Sequence, residues 1–339
     1  MEIAPVLCTI TVIAVAVALV DGRENPSVRM NDFVGSGQSV WPAVRADSGM
    51  DGWFLRYLRC SRKTFFAIAH RLSISWTQVH PPTHVSSRCD VVDRLAITMY
   101  YLTHCDGLDC VALIFVIGKT KAYEHILEIV LLIQHAHLSA AVALPSSAAS
   151  WSSIASGFES VSGFPNVYGA IDGCLVMIKR FRQHEGWYCR KGFPAFNLMA
   201  LVDDKKRFMA YSLRPGSQND RMVFKNSMFG KSRVIPNGGY ILADAGYTLL
   251  PHVLTPFPIV LNMKKCKAHY NSRTRTIVEQ SIGLWKNKFR LFKKPLEFHS
   301  PKSMARVIEA TLVLHNWIID LDSMHRTLSL GIGCILVGT

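Results

Sequence analysis

Apolar residues change their spacing along the chain, and the changes divide it. From Trp53 to about Leu138 they recur at helical intervals: Trp53–Leu58, Thr64–Leu72, Val91–Leu102, Leu108–Phe115, and Lys119–Ile133 after the break Val116-Ile117-Gly118. Two helices around a turn containing Gly have helix-turn-helix form, with Lys119–Ile133 as the second helix and Lys119 and Lys121 as its chief exposed cations. A three-helix unit that serves packing alone has the same pattern. Residues 51–138 are therefore expected as an all-α, helix-turn-helix-like domain. Residues 139–162, rich in Ala and Ser with Pro145, read as a connector. It should include one docking helix, because Trp151, Ile154 and Phe158 fall at i, i+3 and i+7.

Over 163–325 short apolar runs alternate with helical ones. Val167–Gly173 is strand-like and ends on Asp172 and Gly173, while Asn197–Val202 and Phe208–Leu213 read as a hairpin around Asp203-Asp204-Lys205-Lys206. Gly239–Tyr247 is an apolar run suited to a sheet covered on both faces, again closed by Asp and Gly. Ser272–Phe292 carries Val278, Ile282, Trp285, Phe289 and Phe292 on one helical stripe that must face a core. A mixed α/β sheet flanked by helices follows.

These elements gather acids. Asp172 and Asp244 each close a predicted strand. Glu279 stands one residue, about 100° of arc, from Val278 at the border of the stripe, with Arg275, Lys286 and Arg290 on its own side. Three carboxylates in one place are costly, since two unit charges at ~4 Å repel by roughly 4 kcal/mol at an effective dielectric of ~20. Divalent cations reverse that, and hard oxygen ligands suit Mg²⁺ or Mn²⁺. Metals about 3.5–4 Å apart activate water and stabilise the leaving oxygen in phosphodiester cleavage. Asp172, Asp244 and Glu279 are thus candidate metal ligands and catalytic residues, whereas each alone would read as a turn or cap residue. Asp220, before Arg221-Met222-Val223-Phe224, is expected as a helix N-cap, with a metal role as the alternative.

Composition adds a partner. The 339 residues are 49% hydrophobic, enough for about two cored domains and against disorder. The net charge of +14 points to a polyanion, and between Leu261 and Pro295 ten Lys or Arg face Glu279 alone. Arg275, Lys286 and Arg290 in this segment are candidate DNA phosphate contacts, with a solvated helix face as the alternative. The nine cysteines show no zinc spacing and are expected as reduced thiols of a nuclear or cytosolic protein. No Gly-rich phosphate loop or Ser/His/Asp pattern competes, and His315 reads as a packed helix residue. The uncharged run Ile3–Val20 makes residues 1–22 an apolar leader, buried or loosely ordered; a membrane span or secretion signal is the alternative, and the only route to membrane contact.

Seventy-one residues separate Asp172 from Asp244, and thirty-four separate Asp244 from Glu279. That interval resembles the DDE pattern of transposases and integrases. The surrounding words resemble the PIF/Harbinger superfamily of transposases and their domesticated nuclease relatives: Gly163-Phe164-Pro165-Asn166 leading to Gly169-Ala170-Ile171-Asp172-Gly173, Arg190-Lys191-Gly192, Pro215-Gly216-Ser217-Gln218-Asn219-Asp220, Leu242-Ala243-Asp244-Ala245-Gly246-Tyr247, Thr274-Arg275-Thr276-Ile277-Val278-Glu279, and Leu314-His315-Asn316. The resemblance is clearest over 163–319 and weaker back to about residue 51. It implies an RNase H-like catalytic domain, Asp172, Asp244 and Glu279 as its metal-binding triad, and a helix-turn-helix element at 119–133. It also implies a nuclear protein that cleaves DNA, with a separate DNA-binding protein as a further candidate partner. Cys174 and Leu175 stand where the family usually has Thr and His, and Asn219 where it often has His. These departures keep open a catalytically inactive, transposase-derived DNA-binding or scaffold protein.

Overall fold

The structure, a computed structural model, describes residues 39–80, 89–181, 186–231, 234–258 and 263–335. The leader 1–22, and with it the membrane or secretion reading of 3–20, lies outside the described residues. Among the described residues no helix is long and apolar enough to cross a membrane.

Among the described residues five strands form one mixed sheet: β1 (Val167–Met177), β2 (Ala195–Val202), β3 (Phe208–Pro215), β4 (Tyr240–Ala243) and β5 (Val253–Leu254), in the order β3-β2-β1-β4-β5. β2 runs antiparallel to both β1 and β3, whereas β4 joins β1, and β5 joins β4, in parallel. Successive side chains on a strand point to opposite faces. Ala170, Val176, Leu198, Ala200 and Leu242 therefore enter one core, while Ile171, Met199, Leu201, Ile241 and Ala243 enter a second. A sheet covered on both faces needs apolar residues at every position, which is why β2 is buried throughout. This mixed sheet flanked by helices, behind a helical N-terminal region, is consistent with an RNase H-like domain.

The helices are α1 (Trp41–Ala46), α2 (Arg62–Val79), α3 (Val91–Thr103), α4 (Leu108–Phe115), α5 (Lys119–Ala141), α6 (Ala148–Ser162), α7 (Asp220–Asn226), α8 (Met228–Lys231), α9 (Lys265–Lys288) and α10 (Pro301–Ile335). On one face lie α9, through Trp285 and Phe289, and α10, through Val307, Ile308 and Leu314. On the other lie α7 and α8, through Val223, Phe224 and Phe229. The connector's helix α6 serves both cores, sending Phe158 into the first and Trp151 into the second.

The structure does not confirm the helix-turn-helix expectation. The turn between α4 and α5 is present, with Val116 in the left-handed region at φ 51°. However, α5 runs to Ala141, beyond the expected Ile133, and buries Ala122, Ile126, Ile129, Val130 and Ile133 completely. It packs along α3 and α10, so it is a central packing helix. One apolar cluster runs from Val40 to Leu321 and takes in both the helical region and a face of the sheet. The connector does not interrupt the packing.

Asn316 ties three elements. Its Nδ2 donates to the carbonyls of Ala141 (2.7 Å) and Phe208 (2.8 Å), and its Oδ1 accepts from the Phe208 N–H (2.8 Å). His315 beside it is buried, with Nε2 3.0 Å from the Lys206 carbonyl, and burial pushes its pKa down to about 4, so the ring is neutral. Replacing Asn316 by Ala strands buried backbone groups. Asn316→Ala should lower unfolding free energy by about 3 kcal/mol in denaturant titrations, since each unpaired buried polar group costs ~1–3 kcal/mol.

Candidate active site

β1 does not end at Asp172. Gly173 to Met177 stay paired with β2, from Gly173↔Met199 to Met177↔Ala195, so tertiary pairing overrides the turn tendency of Asp-Gly. What ends there is the parallel ladder with β4, whose last pair is Ile171↔Ala243. Asp172 and Asp244 follow that pair directly and stand level on neighbouring strands, whose spacing is about 4.8 Å. By alternation both belong to the face that receives Ala170 and Leu242, which α9 covers. α9 packs on β1 and β4 and carries Glu279, exposed, on the same side of the sheet.

Past Asp172 the β4 side of β1 is a notch. Further on, the Leu296 N–H donates to the Met177 carbonyl (3.0 Å) and the Lys179 N–H to the Leu296 carbonyl (2.9 Å). Between these ends the Leu175 carbonyl is satisfied by Lys286, whose Nζ donates at 2.9 Å. The carboxylates and one ammonium thus share a gap left by a strand that stops early.

The acids feel one another. Burial raises the pKa of Asp172 most; the Gly173 N–H, donating at 2.7 Å, opposes it, and the charges of Asp244, Asp220 and Glu279 add to the rise, to about 7. Asp244 is exposed and starts a tight turn, its Oδ1 accepting from the Gly246 N–H at 2.6 Å. A Cβ on Gly246 would lie 2.9 Å from that oxygen, so a larger residue there would push the Asp244 carboxylate aside. Arg221 of α7 steadies the turn by donating to the Gly246 carbonyl (3.2 Å).

The donor set is oxygen only and negatively charged, which suits a hard divalent cation. Among the described residues no three His, Cys, Asp or Glu side chains are drawn together tightly enough to cage an ion. Carboxylates that would cost roughly 4 kcal/mol per close pair without a counter-charge are expected to stand apart until one arrives.

The other candidate residues are spread more widely. Lys286 lies in the notch, also near the Cys174 thiol, which burial pushes up to about 11 and so leaves protonated and unsuited to ligation. Arg290 lies beyond the end of α9, in the 3₁₀ turn Arg290–Lys293 that packs on α3, with Arg59 and His104 in its field. The helical spacing that set it beside Glu279 does not extend that far. The Arg275 side chain lies outside the described residues. Lys119 and Lys121 are paired with Asp109 (2.9 Å) and Glu124 (2.6 Å). Asp220 is not the N-cap: Asn219 is, its side chain accepting from the Met222 N–H at 2.9 Å.

Sequence reasoning passed over the groove beside the notch, about 420 Å³, lined by Cys174, Arg190, Lys191, Asn197, Asp220 and Lys286 among others. Arg190-Lys191-Gly192 was visible as a motif without a place. Asn197 and Tyr247 were visible only as strand and loop residues. Tyr247 is buried, and burial, followed by the charges of Asp172, Asp220 and Asp244, holds its phenol protonated far above the ordinary range.

Residues 171–316, which include all these acids, match the family described as DDE superfamily endonuclease. The chain is 28% identical over 193 residues to "Protein ALP1-like" of Arabidopsis thaliana, covering 50% of this chain and 47% of that one. It is 28% identical over 173 residues to the Mus musculus protein named "Putative nuclease HARBI1" (48% of this chain, 49% of that one) and 26% over 187 residues to its Homo sapiens namesake (52% of each). The chain spans about half the length of these relatives. No solved structure matches it.

A carboxyl whose pKa is raised on folding binds a proton that the unfolded chain has lost, so its contribution to stability falls as pH rises from about 4 to about 7. In chelator, Asp172→Asn should remove this fall and stabilise the protein at pH 8 by up to about 4 kcal/mol. Parallel melting curves at pH 5 and pH 8 for the two proteins would contradict it.

Proposed function

We propose that this chain, whose residues 171–316 match the DDE superfamily endonuclease family, is a divalent-metal-dependent nuclease that cleaves DNA phosphodiesters in the nucleus through Asp172, Asp244 and Glu279. The observation that carries this is the last rung of the β1–β4 ladder, Ile171↔Ala243, which sets two aspartates level on the face covered by the helix bearing the glutamate. The mutual charge effect on Asp172 supports the same grouping.

Asp172 and Asp244 would hold Mg²⁺ or Mn²⁺ from adjacent strands, and Glu279 would complete the site from α9. Such cations supply Lewis acidity, making water a nucleophile near neutral pH and offsetting charge on the leaving oxygen. Asp172 must give up the proton it keeps up to about pH 7 before both its oxygens can act as ligands. Lys286, fixed by the Leu175 carbonyl, sets positive charge in the notch, where it offsets the repulsion between acids and DNA backbone. Arg190 and Lys191 are exposed on the groove rim and would hold phosphates on either side of the cleaved bond.

Asp244→Asn removes one charge from the site with little change in size. Nicking of plasmid DNA in Mg²⁺ or Mn²⁺ should fall at least 100-fold while DNA affinity in chelator stays within twofold of wild type, since removing one preorganised group from an electrostatic site slows reactions by ~10²–10³. Equal nicking by the two proteins would remove Asp244 from the chemistry.

The rim cations give a separate expectation. Arg190→Ala combined with Lys191→Ala should flatten the log–log dependence of DNA affinity on salt by roughly 0.9 for each phosphate that is no longer neutralised. Fluorescence anisotropy across a titration from low to high salt measures it, and an unchanged slope would take both residues off the DNA path.

A further inference from the structure

We propose that Asp220 is a fourth carboxylate of the cation site, brought against β1 through the gap left by Gly173 and positioned by Asn197 and Tyr247. The inference rests on the metal-dependent reading above and deepens it.

An acid at the start of a short helix is ordinarily a cap or a partner for the helix dipole. The cap here is Asn219, which leaves the Asp220 side chain for something else. It points to β1: a Cβ built on Gly173 would lie 2.6 Å from Asp220 Oδ1, so any larger residue at 173 would expel the carboxylate. Gly173 is the residue after Asp172 and faces the opposite side of the sheet. It lies where the β4 side of β1 stands open, so acids from both faces can meet at that edge.

Two buried side chains are committed to this carboxylate or to the space beside it. Asn197, 2% exposed in β2, donates its Nδ2 to Asp220 Oδ1 (3.0 Å) and to the Gln218 carbonyl (2.9 Å), while its Oδ1 is buried with no hydrogen-bond partner among the described residues. The Tyr247 hydroxyl, on a residue 3% exposed, has no hydrogen-bond partner among the described residues and lies 3.3 Å from the same Gly173 Cβ position that Asp220 Oδ1 approaches. A buried hydroxyl left unpaired is costly and calls for a partner, such as a bound ion or a side chain that moves toward it. A neutral phenol beside a carboxylate is a donor awaiting that acceptor. When a cation draws Asp220 inward, Tyr247 supplies the hydrogen bond that fixes its orientation. A dipole role for Asp220 would require neither the missing side chain at 173 nor the buried amide at 197.

The test is binding of Mn²⁺ alone to the full chain, followed by the electron paramagnetic resonance signal of free Mn²⁺, together with melting in chelator. Asp220→Asn, which keeps the acceptor for Asn197 but removes the charge, should weaken Mn²⁺ binding at least fivefold and melt no lower than wild type. Asn219→Ala should melt lower, because the cap is gone, with Mn²⁺ affinity unchanged. If Asp220→Asn binds Mn²⁺ like wild type while Asp244→Asn does not, Asp220 is outside the site and the triad reading stands alone. If Asp220→Asn binds poorly but also melts well below wild type in chelator, its role is in folding and the proposal is overturned. If neither variant alters Mn²⁺ binding, or wild type binds none, both readings fall together.

Discussion

Like-charge repulsion, held in place by a rigid sheet, is the constraint on which the rest depends. β1 and β4 are locked by backbone hydrogen bonds and by apolar packing on both faces, so Asp172 and Asp244 cannot separate far without breaking the ladder that ends at Ile171↔Ala243. The fold therefore stores an unfavourable interaction at the one point where β4 stops and β1 continues. Burial first, and then the charges of Asp244, Asp220 and Glu279, leave an aspartate that keeps its proton to about pH 7. Much of the surrounding architecture follows from this: a helix that brings Glu279 over the same face, a lysine fixed to the Leu175 carbonyl, and glycines at 173 and 246 where a Cβ would strike a carboxylate.

Packing outside the site holds that point still. Trp285 is fully buried, donates from Nε1 to Thr311 Oγ1 (3.1 Å), and packs against Phe292 as a tilted ring pair with centroids 4.3 Å apart, which anchors α9 against α10. Asn316 anchors α10 to the start of β3 and the end of α5. A further link joins Tyr211, whose hydroxyl donates to Glu309 (2.8 Å), to Gln134, whose amide donates to the same carboxylate (2.6 Å). The helical region thus braces one face of the sheet.

The fold was legible where one local rule dominated. Helices α3 and α4, the hairpin around Asp203-Asp204-Lys205-Lys206, and the docking helix of the connector all follow from apolar spacing and turn residues. It was misread where tertiary contacts outweighed local ones. Asp172-Gly173 looks like a strand end, but β2 keeps β1 extended for five more residues. Asn219 and Asp220 are both good caps, and the choice was made by Asn197, far upstream in β2, which takes the aspartate. Arg290 left its expected face because α9 ends at Lys288. Lys119 and Lys121 are exposed, as expected, and form surface ion pairs with Asp109 and Glu124 that their spacing alone did not single out. Candidate ligands were readable from spacing; the notch, the groove and the buried phenol needed three dimensions.

The most direct test is crystallographic: anomalous diffraction at the manganese edge from crystals of the chain bound to a DNA duplex and soaked in Mn²⁺. The expected result is one or two peaks between β1 and β4, with carboxylate oxygens of Asp172 and Asp244 about 2.1 Å away, the distance range of small hard cations. Saturating Mn²⁺ with DNA in place and no anomalous density between these two aspartates would contradict the metal-dependent site.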